Sequence, residues 1–194
     1  LNDSPKGQLI VIAGPSGVGK SSIIDAVINR TEAAFSVSAT TKPPRDGEVD
    51  GVDYHFITRA AFLEAIDRKR LLEWAEYAGN LYGTMRNEVE PRLAAGTNVV
   101  LNIEIEGAKQ VRRSFPDGVY IFISPPSLEE LAKRLKGRGD TTPHDIELRF
   151  AVAAREIAEA PEVFDHIVVN DELDAAIAQV LDILQRVGSA LPRT

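Results

Sequence analysis

Five consecutive aliphatic residues, Leu9-Ile10-Val11-Ile12-Ala13, run directly into Gly14-Pro15-Ser16-Gly17-Val18-Gly19-Lys20-Ser21. An unbroken aliphatic run suits a strand covered on both faces, which is the situation of a strand in a parallel sheet flanked by helices. The glycines that follow let the backbone wrap so that successive N–H groups point inward at phosphate oxygens. A helix expected over Ser22 to Asn29 would add its N-terminal dipole to the same anion. The spacing Gly-x4-Gly-Lys-Ser assigns Lys20 to the charge of a triphosphate and the Ser21 hydroxyl to Mg²⁺. Gly14, Pro15, Ser16, Gly17, Val18, Gly19, Lys20, Ser21 and Ser22 are therefore candidate phosphate-binding residues. Strand, loop and helix arrive in the order that makes the motif specific rather than a chance glycine-rich turn.

The rest of the chain continues in that α/β manner. Val99-Val100-Leu101 with Ile103, Val119 to Ile123, and Ile167-Val168-Val169 read as further buried strands, and Phe35 to Ser38 as another. Ser127-Leu128-Glu129-Glu130 has capping-box spacing and opens a helix expected to reach Lys136. Asp145 to Ala160 and Leu173 to Val187 read as two more helices. Alternating strands and helices predict a P-loop three-layer α/β fold with a parallel core sheet. At 194 residues and 44% apolar composition the chain can bury the core such a fold needs. A net charge of -7 and the lack of any long basic run argue against nucleic acid as the main partner. With no cysteine, disulfides and thiolate metal sites are excluded. No stretch has the length of a membrane span, and the expectation is a cytoplasmic protein.

Two segments differ from this core. Ala39 to Leu81 holds paired prolines, several glycines and most of the aromatic residues. It reads as a small, mostly β insert, with strands at Tyr54 to Ile57 and Leu72 to Glu76 and a tight turn at Gly79-Asn80. Lys136-Gly137-Arg138-Gly139-Asp140 is basic and glycine-rich between two helices, a composition suited to a lid. The expected division is a core of residues 1–37, 98–135 and 151–194, an insert of 38–97 and a lid of 136–150. Within the insert, Lys42 and Arg45 flank Pro43-Pro44, so two cations converge on one anion from a stiffened loop. Tyr54, a lone carboxylate at Glu73, then Tyr82 and Thr84 complete a set of anion donors, an acceptor and a small hydroxyl.

Read together, these segments resemble the guanylate kinase family. The matching stretches are Ser38-Ala39-Thr40-Thr41-Lys42-Pro43-Pro44-Arg45-Asp46-Gly47-Glu48, Asp53-Tyr54, Glu73-Trp74-Ala75, Tyr82-Gly83-Thr84, Glu106 to Val111, Arg134-Leu135 with Arg138-Gly139, and Val169-Asn170-Asp171. The resemblance runs from about Gln8 to Leu184. It implies transfer of a phosphoryl group from ATP to GMP with Mg²⁺, small-molecule partners and no membrane. It further implies that Ser38, Lys42, Arg45, Tyr54, Glu73, Tyr82, Thr84, Asn102 and Glu104 bind GMP. Glu73 would accept from guanine N1–H and the 2-amino group. Lys20, Arg45, Arg138 and Arg149 would act on the transferring phosphoryl group. Arg134 and Arg138 would hold ATP, and Ser21 and Glu104 would lie at the metal. Arg149 and Arg155 can instead be read as solvated helix residues, and for Arg155 that reading is as good as a functional one.

The chain departs from the family pattern at three places. Lys42 stands where an arginine is usual, so the charge is kept but the bidentate fork is lost. Asn102 and Glu104 stand where an acidic residue and Asp are usual, and Glu106 replaces a Gln. A second reading from another class is a non-catalytic guanylate-kinase-like module that binds a protein partner. The intact loop from Gly14 to Ser21 favours the enzyme.

Overall fold

The computed structural model describes residues 7–136 and 143–190. The chain runs β1 (Leu9–Ala13), α1 (Lys20–Arg30), β2 (Ala34–Phe35), β3 (Ala39–Thr40), β4 (His55–Phe56), α2 (Arg59–Asp67), β5 (Leu71–Tyr77), β6 (Asn80–Met85) and α3 (Arg86–Ala94). It continues through β7 (Val99–Asn102), α4 (Ile105–Ser114), β8 (Val119–Ser124), α5 (Leu128–Lys136), α6 (Pro143–Val163), β9 (His166–Val169) and α7 (Leu173–Ala190).

Five strands form one sheet in the order β2-β7-β1-β8-β9, and every pairing in it is parallel. All five residues of β1 are buried, because the strand is central and both of its faces are covered. Alternate side chains leave a strand on opposite faces. Ile10 and Ile12 accordingly meet Ile23, Ile24 and Val27 of α1 and Ala176, Ile177 and Val180 of α7. Leu9, Val11 and Ala13 meet Ile105, Ala108 and Val111 of α4 and Ala160 and Val163 of α6 on the other face. The result is the three-layer α/β arrangement expected from the alternating pattern.

A second sheet has the order β4-β3-β6-β5. It mixes a parallel β3/β4 pair with antiparallel β3/β6 and β5/β6 pairs. Ala39, Leu71 and Leu81 pack with Phe62 and Ala65 of α2 to give this sheet its own small core. The segment expected to be mostly β thus includes two helices, α2 and α3. Helix α3 sends Val89 and Leu93 into the cluster under the large sheet. Phe35 to Ser38 is not one strand. Ala34–Phe35 pairs in the large sheet and Ala39–Thr40 in the small one, so the chain changes sheets across Ser36 to Ser38. The hairpin turn is centred one residue earlier than the Gly79-Asn80 expectation. Ala78 and Gly79 take φ 48 and 78, and Asn80 already pairs with Tyr77, the two-residue loop whose twist matches the strands. Of the expected lid, residues 143–150 belong to α6, and Gly137 to Thr142 lie outside the described residues.

Candidate active site

The phosphate loop spans the gap between β1 and α1, at the carboxyl end of the central parallel strand, where ligands gather in open α/β sheets. Gly14, Gly17 and Gly19 take φ 147, 83 and 96, and at Gly14 and Gly19 close neighbours leave no room for a side chain. A Cβ on Gly14 would come within 2.2 Å of the Ile123 carbonyl oxygen, and one on Gly19 within 2.6 Å of Asn170 Nδ2. Gly19 is also the N-cap of α1, so the helix opens at once with Lys20, Ser21 and Ser22 in its first turn. Ser16, Ser21 and Ser22 are exposed and Val18 is buried. Lys20 folds back over the loop, its Nζ donating to the carbonyls of Gly14 and of Pro15, the latter at 2.9 Å.

Asn170, part of the Val169-Asn170-Asp171 stretch, lies under the loop. It is buried, and its Nδ2 donates to the Val18 carbonyl at 2.7 Å. Its backbone N–H donates to Ser124 O at 2.8 Å, and its carbonyl accepts from Arg134 Nη1 at 3.0 Å. Arg134 also faces Glu130 at 3.5 Å. The expected ATP ligand Arg134 is thus tied through Asn170 to the loop. The available signal was an amide side chain just past the aliphatic end of a parallel strand.

The residues expected to bind the acceptor are gathered on β6 and its neighbours. Tyr82 and Thr84 are two residues apart on β6 and so share a face. At one end, Lys42 Nζ binds both carboxylate oxygens of Glu48 at 2.5 and 2.6 Å, while the Arg45 backbone N–H donates to Glu48 at 2.8 Å. These bonds, the Arg45 N–H first, hold the Glu48 carboxyl below its ordinary value. The ammonium of Lys42 lies 5.1 Å from the Tyr54 ring centroid. The Tyr54 and Tyr82 rings meet edge to face at 6.0 Å. The Arg45 side chain is exposed and Ser38 is half-buried.

At the other end is Glu73. The pairing of β5 with β6 slips between Leu71 and Glu73. Leu72 is the extra residue of a bulge, and it packs into the cluster under the large sheet, whereas Leu71 stays in the small core. The bulge re-aims the strand and sets Glu73 opposite Thr84, whose hydroxyl donates to Glu73 Oε1 at 2.7 Å. Glu73 is only 6% exposed. Burial pushes its carboxyl up to about 7, against the Thr84 hydrogen bonds and with help from the charge of Glu104.

Asn102 ends β7 and Glu104 caps α4, and both are exposed. Glu104 also raises Glu156, a half-buried carboxyl shifted first by burial and eased by the charge of Lys20. Glu156 escaped the sequence reading. Its signal was position, since it shares a helix face with the buried Ala153 and Ala160. Lys20, Glu156, Glu104 and Glu73 therefore form an electrostatic series from the phosphate loop to the small sheet. Arg149 is half-buried on α6, and Arg138 lies outside the described residues. Arg155 is an exposed helix residue, paired with Glu159 at 2.8 Å and near Glu106 at 3.5 Å.

A phosphate loop at the end of a five-stranded parallel sheet, beside a small sheet that bears a buried carboxylate and is flanked by cations and phenols, defines a P-loop phosphotransferase. The guanylate kinase family model matches residues 6–187. The guanylate kinase of Gloeobacter violaceus is 52% identical over 181 residues, covering 93% of this chain and 88% of that protein. That of Synechocystis sp. is 49% identical over 182 residues, covering 93% and 95%. The crystal structure of guanylate kinase from Anaplasma phagocytophilum superposes with a TM-score of 0.74 at 30% identity, over 94% of this chain and 87% of that one. The chain belongs to the guanylate kinase family.

Proposed function

We propose that the protein transfers the γ-phosphoryl group of ATP to GMP, giving ADP and GDP, and that Glu73 selects the base. The carrying observation is Glu73 itself, a buried carboxylate with one oxygen satisfied by Thr84 at 2.7 Å and no cation paired with it among the described residues. Guanine offers N1–H and the 2-amino group as adjacent donors to such an acceptor. Adenine has neither, and would leave a buried carboxylate unpaired. Sites built on hydrogen bonds reject analogues lacking the bond by roughly 10⁴-fold.

In this reading Lys42, the Arg45 guanidinium, Tyr54 and Tyr82 hold the GMP phosphate, with Ser38 near the base and Asn102 and Glu104 at the border between the two substrates. The loop from Gly14 to Ser22 holds the ATP phosphates, and Arg134 and Arg138 hold the rest of ATP. A GMP phosphate oxygen attacks the γ-phosphorus in line as the bond to the ADP oxygen breaks. Lys20, Arg45, Arg138 and Arg149 offset the charge on the transferring group. No covalent intermediate is needed, because positioning and electrostatics carry phosphoryl transfer. Mg²⁺ supplies charge neutralisation on the ATP phosphates. The exposed Ser21 hydroxyl and the exposed Glu104 fit such an ion as single donors, in keeping with the habit of Mg²⁺ to ride on substrate phosphates and water rather than in a protein cage.

A coupled ADP-release assay with GMP, dGMP, AMP, UMP and no acceptor tests the reading. GMP and dGMP should turn over, with AMP slower by orders of magnitude. Equal rates for AMP and GMP would remove the guanine assignment. An absence of any GMP-dependent turnover would favour the protein-binding module instead.

A further inference from the structure

Helix α4 touches the base reader directly. Gly107 and Gln110 are three residues apart, so they lie on one face of the helix. A Cβ on Gly107 would come within 2.8 Å of Glu73 Oε2, which means the helix backbone is the wall against which that oxygen rests. One turn on, Gln110 Nε2 donates to the Trp74 carbonyl at 3.0 Å, and Gln110 Oε1 accepts from the Trp74 backbone N–H at 3.2 Å. The amide side chain thereby pairs with β5 as a neighbouring strand would, at the residue after Glu73. Because α4 follows directly from β7 and buries Ile105, Ala108 and Val111 under the large sheet, its position is fixed by the core that carries the phosphate loop.

We infer that Gly107 and Gln110 are positioning residues that set where the Glu73 carboxylate stands, and so determine which purine nucleotide the acceptor site takes. This rests on the assignment of Glu73 as base reader. On the small-sheet side, among the described residues, Glu73 is held through Thr84 and the strand pairing, and the bulge at Leu72 leaves that pairing irregular at this point. The helix adds a contact on the second carboxylate oxygen and pins the adjoining backbone. Glycine at 107 keeps the oxygen in place without touching substrate itself.

The test compares Gly107→Ala, Gln110→Leu, Glu73→Gln and the double variant Gly107→Ala/Glu73→Gln in steady-state kinetics with GMP, AMP and ATP. Alanine favours the helix but must displace the carboxylate, the flexible partner in the contact. A shift of about 1 Å in a recognition group costs up to ~10²-fold. Gly107→Ala and Gln110→Leu should each raise the KM for GMP about tenfold or more and lower the GMP/AMP preference. The KM for ATP should stay within about twofold, a split that general loss of structure would not give. In the Glu73→Gln background, Gly107→Ala should add little, since coupled residues are not additive. If Glu73→Gln changes base preference while Gly107→Ala and Gln110→Leu leave the GMP KM and the preference alone, the role of α4 is wrong and the Glu73 reading stands. If Glu73→Gln leaves the preference unchanged, both fall. Should Gly107→Ala fail to fold, Gln110→Leu, which lies on the exposed rim of the same contact, carries the decision.

Discussion

Replacing Glu73 by Gln should change stability and acceptor binding with opposite pH signatures. Burial raises the Glu73 carboxyl from 4.5 to about 7 in the folded protein. Between those two values the folded state holds more protons at this site than the unfolded state does. Stability therefore falls as pH rises through the window and is lowest above it. Each tenfold in ionisation is worth about 1.4 kcal/mol, so the group costs the fold about 3 kcal/mol at pH 8 relative to pH 4. Glu73→Gln keeps an oxygen for the Thr84 hydroxyl and removes the buried charge. It should match the wild type in urea denaturation near pH 4 and exceed it by up to about 3 kcal/mol at pH 8. GMP binding should show the reverse, because only the ionised carboxylate accepts both guanine donors. With a carboxyl near 7, the ionised fraction rises from about one-tenth at pH 6 to nine-tenths at pH 8, so the KM for GMP should fall about tenfold over that range. The GMP phosphate titrates near pH ~6 as well, and dividing by the Glu73→Gln profile cancels it. Denaturation curves that stay superimposed from pH 5 to 8, or a KM ratio that is flat from pH 6 to 8, would mean that Glu73 is not a carboxyl raised by burial that reads the base.

Other substitutions probe separate parts. Lys20→Ala should reduce kcat by about 10²-fold or more, as removal of a charge-stabilising donor does, while equilibrium titration shows GMP bound nearly as before. Asn170→Ala leaves the Val18 carbonyl without its 2.7 Å donor. It should cost about 1–3 kcal/mol, lower the melting temperature by roughly 3–10 °C, and raise the KM for ATP more than that for GMP. Ala78→Gly relieves a φ of 48 and should stabilise the protein by about 0.5–1 kcal/mol in urea denaturation, with the GMP KM unchanged.

The sequence was most legible where one local pattern decides the outcome. Leu9 to Ala13 is aliphatic at every position because both faces of β1 are covered, and the glycines after it are fixed by loop geometry. The strand bearing Glu73 was also readable, but its bulge was not. That slip depends on Leu72 reaching the cluster under the other sheet, a contact no window of neighbours contains. Helix α3 escaped because only Val89 and Leu93 are buried and Pro91 interrupts it, which leaves too little apolar periodicity. In α4 the spacing Ile105, Ala108, Val111 was present, but Gly107 reads as a helix breaker until Glu73 is seen against it. Asn170 and Glu156 are ordinary residues locally and gain meaning only from what lies across the fold.

The brace under the phosphate loop has a consequence for how the chain becomes competent during synthesis. Val18 and Asn170 are separated by 152 positions, and β1 draws its strand partners from residues beyond 98. A chain emerging from the ribosome, at roughly 5–20 residues per second, exposes its phosphate-loop motif many seconds before the residue that supports it. Non-local pairing of this kind also slows folding itself. Nucleotide binding is in this sense the last property the growing polypeptide acquires, although the motif that specifies it is among the first to be made.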